Sequence, residues 1–253
     1  MNKSVIVTGA GSGIGAATAR VFAADGYQVG VLDINQEAAE RTAEDIAQGG
    51  GRALAIRCDV AVREDVEEAI RQVTEAFGLP TTLVNNAGVG GYFHRIHEVT
   101  DEEWDWIVNT NLRSVFLFCR DLLPKMRDAG YGRIVNVSSI QGLFGSPRSS
   151  TYVATKHAII GYTKTIAAEW GEYNITCNAL CPGYVKTSMG VHEEEYGGFT
   201  DQIMKLTPSK RIATPEETGQ MIRFMVSDKA RYLNGAAITY DGGITSYTGV
   251  TDF

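Results

Sequence analysis

The sequence predicts a single α/β domain: a Rossmann-type, doubly wound parallel sheet of about seven strands with helices on both faces. Three observations carry this expectation. Short apolar runs rich in Val, Ile and Leu alternate with amphipathic helical stretches along the chain. The first of those runs, at 4–9, is apolar without alternating in polarity, as a parallel strand buried on both faces requires. The 253 residues, 44% of them hydrophobic, suffice for one large core, with no repeat, linker or low-complexity stretch to divide it, so 1–253 is read as one domain.

Taken in order, "SVIVTG" at 4–9 is a buried strand closed by Gly9. Residues 13–26 place Ile14, Ala17, Val21 and Phe22 at helical spacing, with Gly26 as the stop. "YQVGVLD" at 27–33 is the second strand, and 35–50 a helix opened by Asn35. A strand at 52–60, a helix at 63–78 and a strand at 81–88 follow. Residues 101–128 read as one long helix, and 132–139 as the fifth strand. A helix at 150–171, a strand at 174–183, a helix at 214–227 with Pro215 near its start and a last strand at 236–243 complete the pattern. Right-handed crossovers turn such an alternation into a doubly wound sheet. Residues 186–212 have no clean period. They follow the sixth strand's carboxyl end, where an insertion is expected to form a lid over the substrate.

Composition excludes several classes. The net charge is −7 and no Lys/Arg run is present, which argues against a nucleic-acid partner. No run of about 18 apolar residues occurs, so no membrane span is expected. A strand pattern already begins at Ser4, so no signal peptide is expected before the fold. Cys58, Cys119, Cys177 and Cys181 lack the His or second Cys pair that would complete a zinc site, so no metal is expected. They read as small buried hydrophobes in a reducing, cytoplasmic setting.

The chemistry begins at "TGAGSGIG", Thr8–Gly15, between the first strand and the first helix. Gly9, Gly13 and Gly15 let the backbone turn tightly and approach a pyrophosphate, and the helix start supplies free N–H groups. Ser12 and Ile14 lie within the same turn. Asp33 ends the second strand, 18 residues after Gly15, with Ile34 beside it. A carboxylate there can accept both ribose hydroxyls of an adenosine and would repel a 2′-phosphate. No Lys or Arg stands at 32–36 to offset that, so the expected cofactor is NAD(H) rather than NADP(H). Asp59 and Val60 end the third strand, and Asn86, Ala87 and Gly88 the fourth, where a ligand crossing the strand ends would lie. Tyr152 and Lys156 stand one helical turn apart on one face.

With these residues in order the chain resembles the short-chain dehydrogenase/reductase family, in its compact form. The resemblance runs from Ser4 to about Gly243 and rests on Thr8-Gly9-x-x-x-Gly13-x-Gly15, Asp59, Asn85-Asn86-Ala87-Gly88, Asn111, Ser139, Tyr152-x-x-x-Lys156, Pro182-Gly183 with Thr187, and Asp241-Gly242-Gly243. Ser138 and Ser139 compete for one role; the family's usual 13-residue gap to the tyrosine selects Ser139. The resemblance implies that Tyr152 is the general acid/base and that Lys156 lowers its pKa, together with the positive nicotinamide, and holds the nicotinamide ribose. It implies that Ser139 bonds the substrate oxygen and that Asn111 holds a proton-relay water. Pro182, Gly183, Val185 and Thr187 would fix the nicotinamide. The implied activity is NAD-dependent interconversion of a secondary alcohol and a ketone, by a homotetramer.

Two departures stand out. Leu79-Pro80-Thr81-Thr82 replaces the family's common Asp before the fourth strand, and Arg113 stands where Asn111 is usually followed by a small residue, facing either an interface or solvent. The substrate is expected among Gly90, Tyr92, Phe93 and His94, Gln141, Phe144 and Arg148, Tyr184, and the lid residues Met189, His192 and Tyr196. That mixture suits a small polar or cyclic alcohol. Arg148 reads either as an anion-binding group or as an exposed Arg at a helix start. A 3-oxoacyl-thioester reductase is the alternative within this chemistry. A non-catalytic NAD-binding protein is the alternative outside it, though such proteins typically lose the Tyr or the Lys.

Overall fold

The computed structural model describes residues 3–187 and 198–246. Seven parallel strands form one sheet in the order β3-β2-β1-β4-β5-β6-β7. They are β1 (Ser4–Thr8), β2 (Gln28–Asp33), β3 (Arg52–Arg57), β4 (Thr82–Asn85), β5 (Gly132–Val137), β6 (Ile175–Pro182) and β7 (Ala237–Tyr240). The connecting helices are α1 (Gly13–Ala24), α2 (Gln36–Gln48), α3 (Arg63–Phe77), α4 (Asp101–Val108), α5 (Ser114–Asp128), α6 (Ser150–Trp170), α7 (Phe199–Leu206) and α8 (Pro215–Met225).

Side chains alternate across each strand, so one sequence run feeds two cores. Ile6, Leu83 and Ile134 point to the face covered by α3, α5 and α6, where they meet Ile70, Phe118 and Leu122. Val5, Val7, Val84 and Val135 point to the other face, against Phe22 of α1, Ile46 of α2 and Ile222 of α8. Each such side chain, taken out of water, contributes roughly 1.5–3 kcal/mol. This is why the inner strands are mostly apolar on both faces, with Asn85, Arg133, Asn136 and Asn178 as buried polar exceptions. Chain order climbs outward from β1, which pairs with β2 on one side and β4 on the other. The direction of chain travel reverses there, opening a crevice beyond the strands' carboxyl ends.

Several elements differ from expectation: β3 ends at Arg57, before Asp59 and Val60, and β7 at Tyr240, each short of the run that predicted it. The segment 101–128 is helical throughout but is not one α-helix, because a π turn at Asn109–Arg113 separates α4 from α5. The extra residue shifts the helical phase by about 100°, but the apolar positions on either side still fit a helical period, so the sequence does not reveal it. The β4 strand stops at Asn85, which leaves Asn86–Gly88 as loop. Within 186–212, α7 supplies one regular element. The expected lid residues Met189, His192 and Tyr196 lie outside the described residues. No helix among the described residues is long and apolar enough to cross a membrane.

Candidate active site

A cavity of about 960 Å³ opens along the carboxyl ends of the strands from β1 to β6. Its first wall is the turn between β1 and α1. Gly9 and Gly13 adopt φ of 62° and 52°, the left-handed region that glycine enters without strain. Gly15 permits close approach: a Cβ there would collide with the Gly9 carbonyl oxygen. The turn is tied to the next strand end. Asn86 Nδ2 donates to Thr8 O (2.9 Å) and Gly9 O (3.1 Å), while Thr8 Oγ1 accepts from the N–H groups of Asn86 and Ala87, both at 3.0 Å. Because α1 begins at Gly13, its first-turn N–H groups lack intrahelical partners, and Ser12, Gly13 and Ile14 stand on the cavity wall.

Asp33 lines the same cavity. Its Oδ2 accepts from Gly11 N at 2.8 Å and its Oδ1 from Asn35 N at 3.0 Å. The carboxylate thus braces the glycine turn and also presents remaining lone pairs to the cavity. Asp59 Oδ1 accepts from Ala61 N at 3.0 Å, shaping the loop after β3. Arg113, exposed, donates to Ala61 O at 2.6 Å and so reaches from the π turn to that loop. Ser12, Ile14, Ile34 and Val60 also line this part of the cavity; Gly15 stands behind it.

The second cluster sits where β5 meets α6. Ser139 caps a short 3₁₀ turn, Ile140–Gly142, its Oγ accepting from Gln141 N at 3.1 Å. The same hydroxyl is hydrogen-bonded to the Tyr152 phenol. Ser138 is used differently: 3% exposed, it donates to Lys156 O at 2.9 Å and fastens β5 to α6. The side-chain directions of the two serines therefore distinguish them. Lys156, 4% exposed, donates from Nζ to Val137 O at 2.9 Å and lies 5.4 Å from the Tyr152 ring centroid.

Burial pushes the Lys156 ammonium down from its ordinary range to about 8. Part of the Tyr152 ring faces the cavity, yet burial pushes its phenol up, with the Ser139 hydrogen bond opposing. The sequence-based expectation had Lys156, together with the positive nicotinamide, pulling the phenol down. In this structure the loss of solvent is the larger effect.

Asn111 is 1% exposed and stands behind the cavity wall. Its side-chain amide clamps Val89 from both sides, accepting from Val89 N (2.7 Å) and donating to Val89 O (2.9 Å). Gly88 marks where this group and Lys156 converge. A Cβ on Gly88 would lie 3.3 Å from Asn111 Oδ1 and 3.5 Å from Lys156 Nζ.

Ala87, Gly88, Pro182, Gly183, Val185 and Thr187 line the cavity, as do Gly90, Phe93, Gln141, Arg148 and Tyr184. Arg148 holds φ of 61°, unusual for a residue with a side chain. His94 is not on the cavity; its Nδ1 meets Glu103 Oε2 at 2.8 Å. Sequence reasoning missed Trp106, Asn109 and Thr110, which line the cavity from α4 and the π turn. Their i, i+3, i+4 spacing just before Asn111 is the signal that was available.

A family model described as "Enoyl-(Acyl carrier protein) reductase" matches residues 9–245. The chain is 38% identical to a cyclohexanol dehydrogenase of Acinetobacter sp. (strain SE19), covering 97% of this chain and 96% of that one. It is 37% identical to a 2-(R)-hydroxypropyl-CoM dehydrogenase of Xanthobacter autotrophicus, covering 97% and 100%. Among solved structures, a levodione reductase superposes with a TM-score of 0.93 at 32% identity, covering 98% and 99%. A 3-oxoacyl-[acyl-carrier protein] reductase of Brucella melitensis with bound NAD gives 0.87 at 36%, covering 95% and 90%. The chain belongs to the short-chain dehydrogenase/reductase family. It is an oxidoreductase that interconverts secondary alcohols and ketones with a nicotinamide cofactor.

Proposed function

We propose that the protein is an NAD(H)-dependent dehydrogenase of a small polar or cyclic secondary alcohol, with Asn111, Ser139, Tyr152 and Lys156 as its catalytic residues. The observation that carries this reading is the single cavity lined by Asp33 at one end and by Ser139, Tyr152 and Lys156 at the other. The sheet order places three strand spacings between β2 and β5, ~14 Å, a span suited to a dinucleotide. The glycine turn supports the fit. It removes side chains where a pyrophosphate would lie, and a Cβ on Gly13 would meet Thr187 Cγ2 at 3.1 Å. Gly9, Ser12, Gly13, Ile14 and Gly15 would hold the phosphates. Asp33, Ile34, Asp59 and Val60 would hold the adenosine, and Asn86 to Gly88 with Pro182, Gly183, Val185 and Thr187 the nicotinamide half. When bound, the nicotinamide supplies hydride acceptance or donation.

The chain's own residues do the rest. Ser139 Oγ, which lines the cavity beside the phenol, turns its one O–H to the substrate oxygen and stabilises charge developing there. In ketone reduction the Tyr152 phenol gives its proton to that oxygen; in alcohol oxidation Tyr152 takes it back. Lys156, largely charged below its value of about 8, favours the phenolate left behind. Asn111, fixed by Val89 and facing Lys156 across Gly88, holds the relay through which Lys156 exchanges protons. Gln141, Arg148 and Tyr184 contact the substrate around the reacting carbon.

The choice of NAD(H) rests on Asp33, which no cation within 32–36 offsets. We infer a homotetramer, as the family resemblance implies. The four buried free cysteines agree with a reducing, cytoplasmic compartment.

The test is a panel of ketones and alcohols followed by nicotinamide absorbance. Tyr152→Phe should lower turnover by roughly 10³-fold or more while NADH still binds. Near-normal turnover would remove Tyr152 from the acid/base role. The unaltered protein should bind NADH more tightly than NADPH. Because Asp33 also braces Gly11, Asp33→Ala should weaken NADH by roughly tenfold or more without making NADPH a good ligand. Tighter NADPH than NADH binding by the unaltered protein would overturn the assignment. A 3-oxoacyl-thioester reductase remains the second reading, favoured by the Brucella melitensis relative. Preferential turnover of an acetoacetyl thioester would select it.

A further inference from the structure

The loop after β4 lines the substrate end of the cavity with Val89, Gly90 and Phe93, yet it contains no helix or strand from Asn86 to Arg95. Its position is set from outside. Three residues of the neighbouring helical segment, spaced four apart, meet it in antiparallel order. Asn111 clamps Val89. Ile107 fills the space where a side chain on Gly91 would stand, and Gly91 itself has φ of 77°. Glu103, 7% exposed, accepts from Tyr92 N at 3.0 Å and meets His94 Nδ1 at 2.8 Å. A carboxylate only accepts, so His94 Nδ1 carries the proton.

The π turn makes this alignment work. Eight residues of α-helix would rotate Asn111 about 80° from the Glu103 face; the extra residue absorbed by the π turn brings it back to within about 20°. The Glu103 carboxylate therefore fixes the residues on either side of Phe93. One turn onward, Trp106 lines the cavity and its ring lies 5.8 Å from that of Tyr92.

We propose that Glu103 is a positioning residue for substrate specificity: by holding Tyr92 and His94 it sets Phe93 and Trp106 as an apolar wall that receives the ring face of a cyclic ketone. A buried carboxylate is costly unless its acceptors are used, and here they are used on the loop. The inference rests on the proposed ketone reductase reading, and its substrate is thereby narrowed to ring ketones over small acyclic ones.

The test compares Glu103→Gln with the unaltered protein on cyclohexanone and butanone, with NADH affinity measured on the same samples. For cyclohexanone, KM should rise about tenfold with kcat within about threefold, whereas butanone kcat/KM and NADH affinity should stay within about threefold. Phe93→Ala, at a site 48% exposed and so of little risk to folding, should give the same split. Parallel losses on both ketones, or no change on either, would overturn the proposal. If the unaltered protein reduces neither ketone, the proposed reaction falls instead, and amide exchange then decides the anchor. Faster exchange over 89–98 in Glu103→Gln, with β4 and α5 unchanged, supports it; unchanged exchange over 89–98 refutes it.

Discussion

Lys156 is a cation held almost out of water, and its position has a stability consequence that can be separated from catalysis. Burial lowers its pKa from 10.5 to about 8. Below pH 8 both the folded and unfolded chains carry the charge, so folding bears the full cost of burying it, about 3 kcal/mol for that shift. Between pH 8 and 10.5 the unfolded chain binds the proton more tightly, so this residue's contribution to stability rises with pH. Tyr152 acts oppositely but later, because a raised phenol pKa costs stability only above about pH 10. The buried cysteines, such as Cys58 and Cys119, both pushed up to about 12, add a similar fall from about pH 9. Comparison with Lys156→Met cancels those shared effects. The stability difference between the unaltered protein and Lys156→Met, read from urea unfolding at pH 7.5, 9 and 10, should move in favour of the unaltered protein as pH rises, by up to about 3 kcal/mol. A flat difference would mean that the ammonium is solvated rather than buried.

The β1–α1 turn works only if α1 is seated correctly, and that seat is made by α8. Gly219 lies against the α1 backbone: a Cβ there would sit 3.1 Å from both Thr18 Cα and Thr18 N. Backbone atoms cannot rotate away as a side chain does, so bulk at this crossing must separate the helices. Gly219→Val should destabilise the fold by about 2–3 kcal/mol and lower Tm by roughly 5–10 °C. It should also weaken NADH binding, since the displaced α1 carries the phosphate-facing N–H groups. Unchanged Tm and unchanged NADH affinity together would mean that the crossing has slack. The start of α8 was readable in the chain through Pro215, and the structure adds a capping box between Thr214 and Glu217. The crossing itself was not readable, because a glycine inside a helix gives no hint of which backbone lies above it. The π turn was hidden for a related reason: it changes which residues share a face without changing their identities.

Across the whole molecule, what the chain made legible was whatever depends on local pattern. The doubly wound sheet follows from apolar runs and connection handedness, and the cavity residues from the positions that end those runs, among them Asp33, Asp59 and Ser139. What stayed hidden depends on contacts between distant segments. His94 looked available to substrate until Glu103 was seen to bind it, and the helical pattern of 101–128 did not mark Trp106 as cavity lining. The same limit applies to assembly, where outer-surface pattern is the remaining guide. Trp104 and Phe116 are 47% and 42% exposed. Twelve residues separate them, and the π turn brings them to within about 20° on one outward face of α4 and α5. Arg120 lies over the Phe116 ring at 5.2 Å, an amphipathic pairing suited to a partner surface. The far sheet edge is β7, which pairs only with β6 among the described residues. Two separate faces of this kind in one chain favour a closed assembly of dihedral symmetry. Sedimentation equilibrium should therefore give about 110 kDa, four chains of 27.4 kDa each. Phe116→Glu should reduce this to a smaller species by placing unpaired charge in one interface, with NADH binding retained because the cavity lies on the opposite side of the helix face. A monomeric mass for the unaltered protein at micromolar concentration would exclude the tetramer and leave the Trp104–Phe116 face without a partner copy.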